Sequence, residues 1–312
     1  MMKKYIYSLI FILSIILSNA QTAKEYSDMA YDKVDKEDYK YALALINKAI
    51  AINDTNAWYP LQKADIEFKL YGPRDAMSVI FNALPKHRKN SEYYNRIGSY
   101  YESGGMIDSA VYMYNQAIKY AVGDTLKHMY LQNRGAAKIG NRNFIGAKED
   151  LEKVLAFNPN DIATLNNIAN VYDELGEKNK AIHTLKKIIE ISPEFVGTYV
   201  NLGFCYTEMD SVDLGIKYFN HALTLEPKDG VIYNNRGYAY YKQKNYAAAL
   251  KDINQSISLY PTNSYAYRNL ALVYIATNKM SEACETLNYA LRYGFEQQYG
   301  DEVNQLLKKH CK

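Results

Sequence analysis

The sequence predicts an all-α solenoid, and three observations carry that expectation. The stretch 230–263, GVIYNNRGYAYYKQKNYAAALKDINQSISLYPTN, reads as two amphipathic helices joined by a short polar turn. Its small residues Gly237 and Ala249 stand where two helices cross closely, and Pro261 ends the unit. Stepping by 34 residues then reproduces the pattern: Gly237 falls on Gly203, Ala169 and Gly135 going back and on Ala271 going forward. Ala249 falls on Gly215, Ala181, Ala147 and Ala283, and Pro261 on Pro227, Pro193 and Pro159. One step of 37 instead continues the series to Gly98, Ala64 and Ala30, with Ala110, Ala76 and Ala42 beside them. The third observation is coverage, because about eight such copies consume nearly all of the 312 residues. Units of this kind bury their apolar faces only against their neighbours.

This register resembles the tetratricopeptide repeat family, whose pattern places small residues and a Tyr in the first helix, small or apolar sites in the second, and a closing Pro. The Tyr site is Tyr172, Tyr206, Tyr240 and Tyr274. The resemblance covers 23–297 and implies a right-handed α-solenoid of about eight helix-turn-helix repeats with a C-terminal capping helix. Departures gather in the N-terminal half. The Tyr site is Lys33, Glu67 and Lys138 in repeats one, two and four, and the closing Pro is Asp54, Arg88 and Val122 in repeats one to three. In repeat eight it is Phe295.

Residues 1–20, MMKKYIYSLIFILSIILSNA, have the layout of a secretory signal peptide. A basic start precedes an apolar run from Tyr5 to Leu17, and small residues at Ser18 and Ala20 suit cleavage after Ala20. The run is short for a membrane span, which needs roughly 20 residues, and an uncleaved anchor is the alternative. The expectation is an exported bacterial protein, periplasmic or secreted, with no stable membrane insertion after signal cleavage. Loss of Lys3 and Lys4 takes the formal charge from +3 to +1, which gives no electrostatic reason to expect nucleic acid.

Taken in order, repeat one is 23–56, with Ala42, Leu45, Ile46 and Ala49 on one helical stripe. Repeat two, 57–90, is the least regular: Pro60 opens its first helix, Gly72-Pro73 marks the turn, and Pro85 shortens the second helix. Repeat three, 91–124, turns at Gly104-Gly105. Three extra residues, Thr125 to Lys127, then break the register and are expected to bend the array or divide it into three and five repeats. Repeats 128–161, 162–195, 196–229, 230–263 and 264–297 hold strict register. The segment 298–312 is expected to form a capping helix, begun by Asp301 and carrying Val303, Leu306 and Leu307 on its inner side.

Catalytic patterns are absent: there is no nucleophile elbow, phosphate loop or HExxH. The five histidines are scattered, so neither a metal site nor a cofactor is expected. Cys205 reads as a buried small hydrophobe. Cys284 and Cys311 are candidates for a disulfide that would pin the cap to repeat eight in an oxidising compartment, with two free thiols as the alternative. Tyrosine is the compositional outlier, at 32 residues, and reads mainly as an interhelical packer with a solvated hydroxyl.

One array suggests binding. Asn133, Asn167, Asn201, Asn235 and Asn269 recur at 34-residue steps, each two before the small residue of its first helix. The resemblance places this position on a concave groove, where asparagine amides match the N–H and C=O of an extended peptide. Asn170, Phe204, Tyr238, Tyr241 and Tyr265 match other groove positions. A passive structural role for the asparagines is the competing reading. The basic clamp that relatives use for a terminal carboxylate is not matched, since Asn166 and Val231 occupy two of its sites. The function expected is therefore a non-enzymatic scaffold that binds a protein or peptide partner. The alternatives are a structural subunit of a cell-envelope complex, held by its convex face or ends, and a regulatory partner of an enzyme.

Overall fold

The computed structural model describes residues 21–311; the expected signal segment, residues 1–20, lies outside them. Among the described residues all regular structure is helical. The chain forms two compact units, one ending at Phe157 and the other beginning at Asn158.

In the first unit four hairpins follow one another: α1 (Ala23–Asp35) with α2 (Tyr39–Ile52), α3 (Trp58–Tyr71) with α4 (Pro73–Ala83), α5 (Ser91–Ser103) with α6 (Ile107–Tyr120), and α7 (Asp124–Gly140) with α8 (Phe144–Phe157). Pro85 does end regular helix early: α4 stops at Ala83 and a 3-10 turn, Leu84–Lys86, follows. The extra residues Thr125 to Lys127 are absorbed into α7, which runs 17 residues and so gains about one turn at its start. Division of the chain accordingly falls after α8, four hairpins along, rather than at the insertion.

The second unit holds α9 (Ile162–Glu174) with α10 (Lys178–Ile191), α11 (Val196–Glu208) with α12 (Val212–Leu225), α13 (Gly230–Lys242) with α14 (Tyr246–Leu259), and α15 (Ser264–Ala276) with α16 (Met280–Arg292). Two short helices, α17 (Phe295–Tyr299) and α18 (Glu302–His310), finish it. The first helices α9, α11, α13 and α15 pack side by side, each also against the second helix of its own hairpin.

Local chemistry explains the hairpins. The first helix of most ends in the same Schellman-type turn. In α13, for example, the Asn245 amide donates to Tyr240 O and the Lys244 amide to Tyr241 O, at 2.9 Å each. The turn needs one left-handed residue, and that position is Gly105 or Gly176 in two hairpins. Elsewhere it is Glu37, Arg142, Asp210, Lys244 and Asn278, with φ between 58° and 62°.

The small-residue column has a different cause at different heights. A Cβ on Gly98 would lie 2.7 Å from the ring of Tyr114, and one on Gly203 would lie 2.6 Å from the ring of Phe219. There a large side chain of the second helix fills the space. At Gly215 the first helix itself closes in: a Cβ there would meet the Thr207 hydroxyl first, with Gly203 O only 2.7 Å away.

Two buried polar clips tie three helices each. Asp150, 1% exposed, accepts from Arg134 Nε (2.8 Å), Arg134 Nη2 (2.5 Å) and Lys138 Nζ (2.8 Å). The remaining guanidinium nitrogen donates to Asn115 of α6. In the second unit Arg236 binds Asp252 through Nε (2.6 Å) and Nη2 (2.9 Å) and donates Nη1 to Asn220 of α12.

The C-terminal segment differs in detail from the expectation. Phe295 and Val303 are fully buried with Ala271, Leu287 and Ala290, so α17 already begins to cover the end of the hairpins. The Asp301 side chain does not cap α18; instead Glu296 accepts from the Asn304 amide at 3.1 Å. Cys284 of α16 and Cys311 are joined as a disulfide. Cys205 is buried and free, its thiol pushed up to about 12 by burial and the adjacent Asp173 carboxylate.

Candidate functional site

The asparagine column does two different jobs. Asn269 is 1% exposed. Its Nδ2 donates to Asn234 Oδ1 at 2.9 Å and its Oδ1 accepts from Arg268 at 2.8 Å, so its amide is spent inside the fold. Asn201 Nδ2 lies 3.1 Å from both Asn166 Oδ1 and Asn170 Oδ1. In the first unit Asn133 Nδ2 donates to Asn95 Oδ1 at 2.8 Å. The bonds to Asn234, Asn166 and Asn95 join the first helices of neighbouring hairpins, the accepting residue standing one position before the column in the preceding copy; Asn170 accepts from three positions after it. Asn235 accepts from Asn234 at 3.3 Å, and Asn167 is half-buried on α9.

In the second unit the structure gathers Phe204 of α11, Asn235 of α13 and Tyr265 of α15 into one open cleft of about 350 Å³. Val231 and Tyr260 line it as well, and the C-terminal segment supplies Tyr293 and Tyr299. Phe204 is 36% exposed and Tyr299 53%. Tyr265 packs against Tyr299 edge-to-face, with centroids 4.9 Å apart and planes at 83°. Tyr241 and Tyr238 do not line this cleft. Tyr241 lies between the Tyr238 and Tyr246 rings, at 6.1 and 6.2 Å.

Arg268 was not foreseen and organises the neighbourhood. Its guanidinium lies 5.7 Å from the Tyr238 ring centre and 5.5 Å from that of Tyr265. Both Nε and Nη2 bind the Glu302 carboxylate of α18. Burial alone would lower the arginine's affinity for its proton, but Glu302 outweighs it and raises it. The Tyr238 phenol is pushed up to about 12, chiefly by burial and then by the charge of Glu208. One carboxylate oxygen of Glu208 is buried and makes no hydrogen bond.

The tyrosine hydroxyls also depart from the expected solvation. Tyr199, Tyr233 and Tyr267 donate to the carbonyls of Pro193, Pro227 and Pro261, at 2.6, 3.4 and 3.0 Å. Tyr94 makes the same bond to Arg88 O, at 2.8 Å, where Arg88 stands in the place of the closing proline. The signal was legible: a Tyr recurs six residues after each of these closing positions.

Among the described residues no group of His, Cys, Asp and Glu is arranged to hold a metal. No described helix is long and apolar enough to cross a membrane.

With this geometry the comparisons with known proteins agree. Residues 91–121, 162–195, 196–229 and 231–263 each match the family description "Tetratricopeptide repeat". The chain is a tetratricopeptide repeat protein. Among solved structures it is similar to a tetratricopeptide repeat protein from Parabacteroides merdae, at 18% identity over 94% of this chain and 100% of that one, with a TM-score of 0.64. It is also similar to pilF of Pseudomonas aeruginosa, at 17% identity over 66% of this chain and 92% of that one, TM-score 0.56. A thermophilic TPR protein of Thermus thermophilus matches at 18% identity over 58% of this chain and 96% of that one, TM-score 0.52. No curated protein sequence matches the chain. Tetratricopeptide repeats generally mediate protein–protein interaction, and proteins built from them are typically non-enzymatic. In the second unit of this repeat protein the first helices α11, α13 and α15 carry the ring of Phe204, the amide of Asn235 and the ring of Tyr265 that line the cleft.

Proposed function

We propose that the second unit is a non-enzymatic binding module that takes an extended polypeptide segment across α11, α13 and α15. The observation that carries this reading is the cleft itself, which combines Phe204, Asn235 and Tyr265 from three successive hairpins. Exposed aromatic rings supply rigid apolar contact and amides supply backbone-like hydrogen bonds, the composition of a peptide anchor. The asparagines that zip neighbouring helices, Asn201 and Asn269, contribute to the shape of the face and not to the ligand.

Selection of a random peptide library on residues 21–312 tests the reading. Clones that bind the native protein are expected to lose about tenfold or more in affinity for a variant carrying Phe204→Ala and Asn235→Ala, at unchanged helicity and melting. Clones indifferent to the double substitution would sink the proposal and turn attention to the hairpin ends. Export is proposed alongside, from the pattern of residues 1–20; recovery of the protein in the cytoplasm with Met1 still at its N-terminus would end that idea.

A further inference from the structure

Resting on the reading that this cleft holds an extended segment, we propose that its guest is a neutral, proline-rich stretch in the polyproline II conformation. Three properties of the lining converge on that chemistry.

The first is charge. Among the described residues no charged side chain lines the cleft. The nearby guanidinium of Arg268 is engaged by Glu302, by Asn269 and by two tyrosine rings, so it offers nothing to an acidic guest. Glu302 is spent in the same pair. Glu208 bears electrostatically on Tyr238 and Tyr265 but is not among the lining groups.

The second is hydrogen-bond polarity. The cleft contains three asparagines, and the carbonyl oxygen of each already accepts within the protein. Asn234 Oδ1 accepts from Asn269, Asn235 Oδ1 from Asn234, and Asn263 Oδ1 from the amides of Tyr265 and Ala266. What remains is one amide donor, the Asn235 nitrogen, and the hydroxyls of Tyr260, Thr262, Ser264 and Tyr299, which donate to a carbonyl as readily as they accept. An ordinary extended strand brings an N–H with every residue and asks for acceptors. A proline-rich strand brings carbonyls and few N–H groups, which suits a lining whose amide acceptors are already engaged and whose hydroxyls are able to donate.

The third is shape. Phe204, Tyr260, Tyr265, Tyr293 and Tyr299 present rings to one space, and the edge-to-face pair of Tyr265 and Tyr299 forms two walls near a right angle. Aromatic-lined grooves take polyproline II segments because the chain is already stiff and little ordering entropy is lost on binding.

The test is fluorescence anisotropy with a labelled neutral proline-rich peptide of about twelve residues, roughly four polyproline II turns. A peptide of equal length with alanine for proline, and a clone from the library selection, serve as comparisons. Two cleft variants are used: Val231→Glu, which adds a carboxylate at an exposed first-turn position, and Tyr299→Ser. The proline-rich peptide is expected to bind about tenfold or more tightly than its alanine counterpart. Each variant is expected to weaken it by about tenfold. Binding of the library clone but not of the proline-rich peptide would overturn this inference and leave the groove reading intact. Proline-rich binding that neither variant disturbs would overturn the assignment to this cleft. Silence toward every peptide would overturn both.

Discussion

The two units are assembled from the same helix hairpin but differ in what they bury between helices. In the first unit, buried tyrosines reach acidic groups: Tyr100 donates to Asp65 and Tyr114 to Glu102, at 2.8 and 2.7 Å. Arg96 joins Asp65 as well, and Asp150 takes two cations. In the second unit the tyrosine hydroxyls go to proline carbonyls, the amides of neighbouring first helices bond to one another, and a single guanidinium meets Asp252. Charge thus meets buried phenols in the first unit, whereas in the second it works through separate arginine–carboxylate pairs, Arg236 with Asp252 and Arg268 with Glu302. The contrast teaches that a repeat tolerates loss of its closing proline where ion pairs and buried phenols fix the interhelical contact instead. Repeats two and three lack that proline and contain Asp65, Arg96, Tyr100 and Tyr114.

The largest expected effect tests that contrast directly. Asp150→Ala leaves the half-buried Arg134 and Lys138 without their buried counter-ion and is expected to cost about 3 kcal/mol. Trp58, the one tryptophan of the chain, lies in the first unit and reports on it by fluorescence. The midpoint of its denaturation curve should fall further for Asp150→Ala than for Asp252→Ala. Equal shifts would break the comparison.

The second test is covalent. Cys311→Ser removes the tie between α16 and α18 and is expected to cost roughly 3.5 kcal/mol in the chain-entropy model, for a loop closed across 27 residues. A melting curve by circular dichroism should show it, and two thiols alkylated at Cys284 and Cys311 in the untreated protein would remove its basis.

Acid should next separate two carboxylates of the first unit, Asp150 and Asp65. Burial pulls the Asp150 carboxyl up, but its bonds to Arg134 and Lys138 win and hold it below its ordinary value of 3.8. Stability from this group is therefore fully present above that value and lost as pH falls through the lower folded value. Asp65 has the opposite sign. Desolvation raises it despite Arg96, so its contribution is greatest in acid and fades as pH rises through the raised value. Asp150→Asn should flatten the acid limb of the Trp58 curve, whereas Asp65→Asn should leave that limb in place.

The smallest effect sharpens the account of the second unit. Tyr199→Phe removes one hydroxyl from the Pro193 carbonyl and is expected to cost about 1 kcal/mol. Tyr94→Phe should cost the same in the first unit, since the acceptor there is also a main-chain carbonyl.

Much of the fold was legible because steric need repeats. Gly98, Gly203 and Gly237 announce a close partner without naming it, and the 34-residue step shows which helix provides one. The left-handed turn position was legible only at Gly105 and Gly176, because Glu37, Arg142, Asp210, Lys244 and Asn278 carry no mark of φ in their identity. The candidate site was less readable. Sequence placed Asn235 and Asn269 in one column as equals, but an amide's availability depends on its neighbour. Asn234 offers an acceptor to Asn269, whereas Val200, at the matching place before Asn235, offers none. Arg268 escaped notice because its meaning lies in Glu302, 34 residues on and in a different kind of helix.

Those five non-glycine residues at φ near 60° open an engineering route. Each holds a conformation that L-residues adopt at a cost of roughly 1–2 kcal/mol, partly offset by the flexibility a glycine would add to the unfolded chain. Exchanging them one at a time for glycine gives a graded series of variants with the lining of the cleft untouched. Such a series would yield hardened scaffolds in steps, each step confined to one hairpin and readable by its own shift in melting temperature.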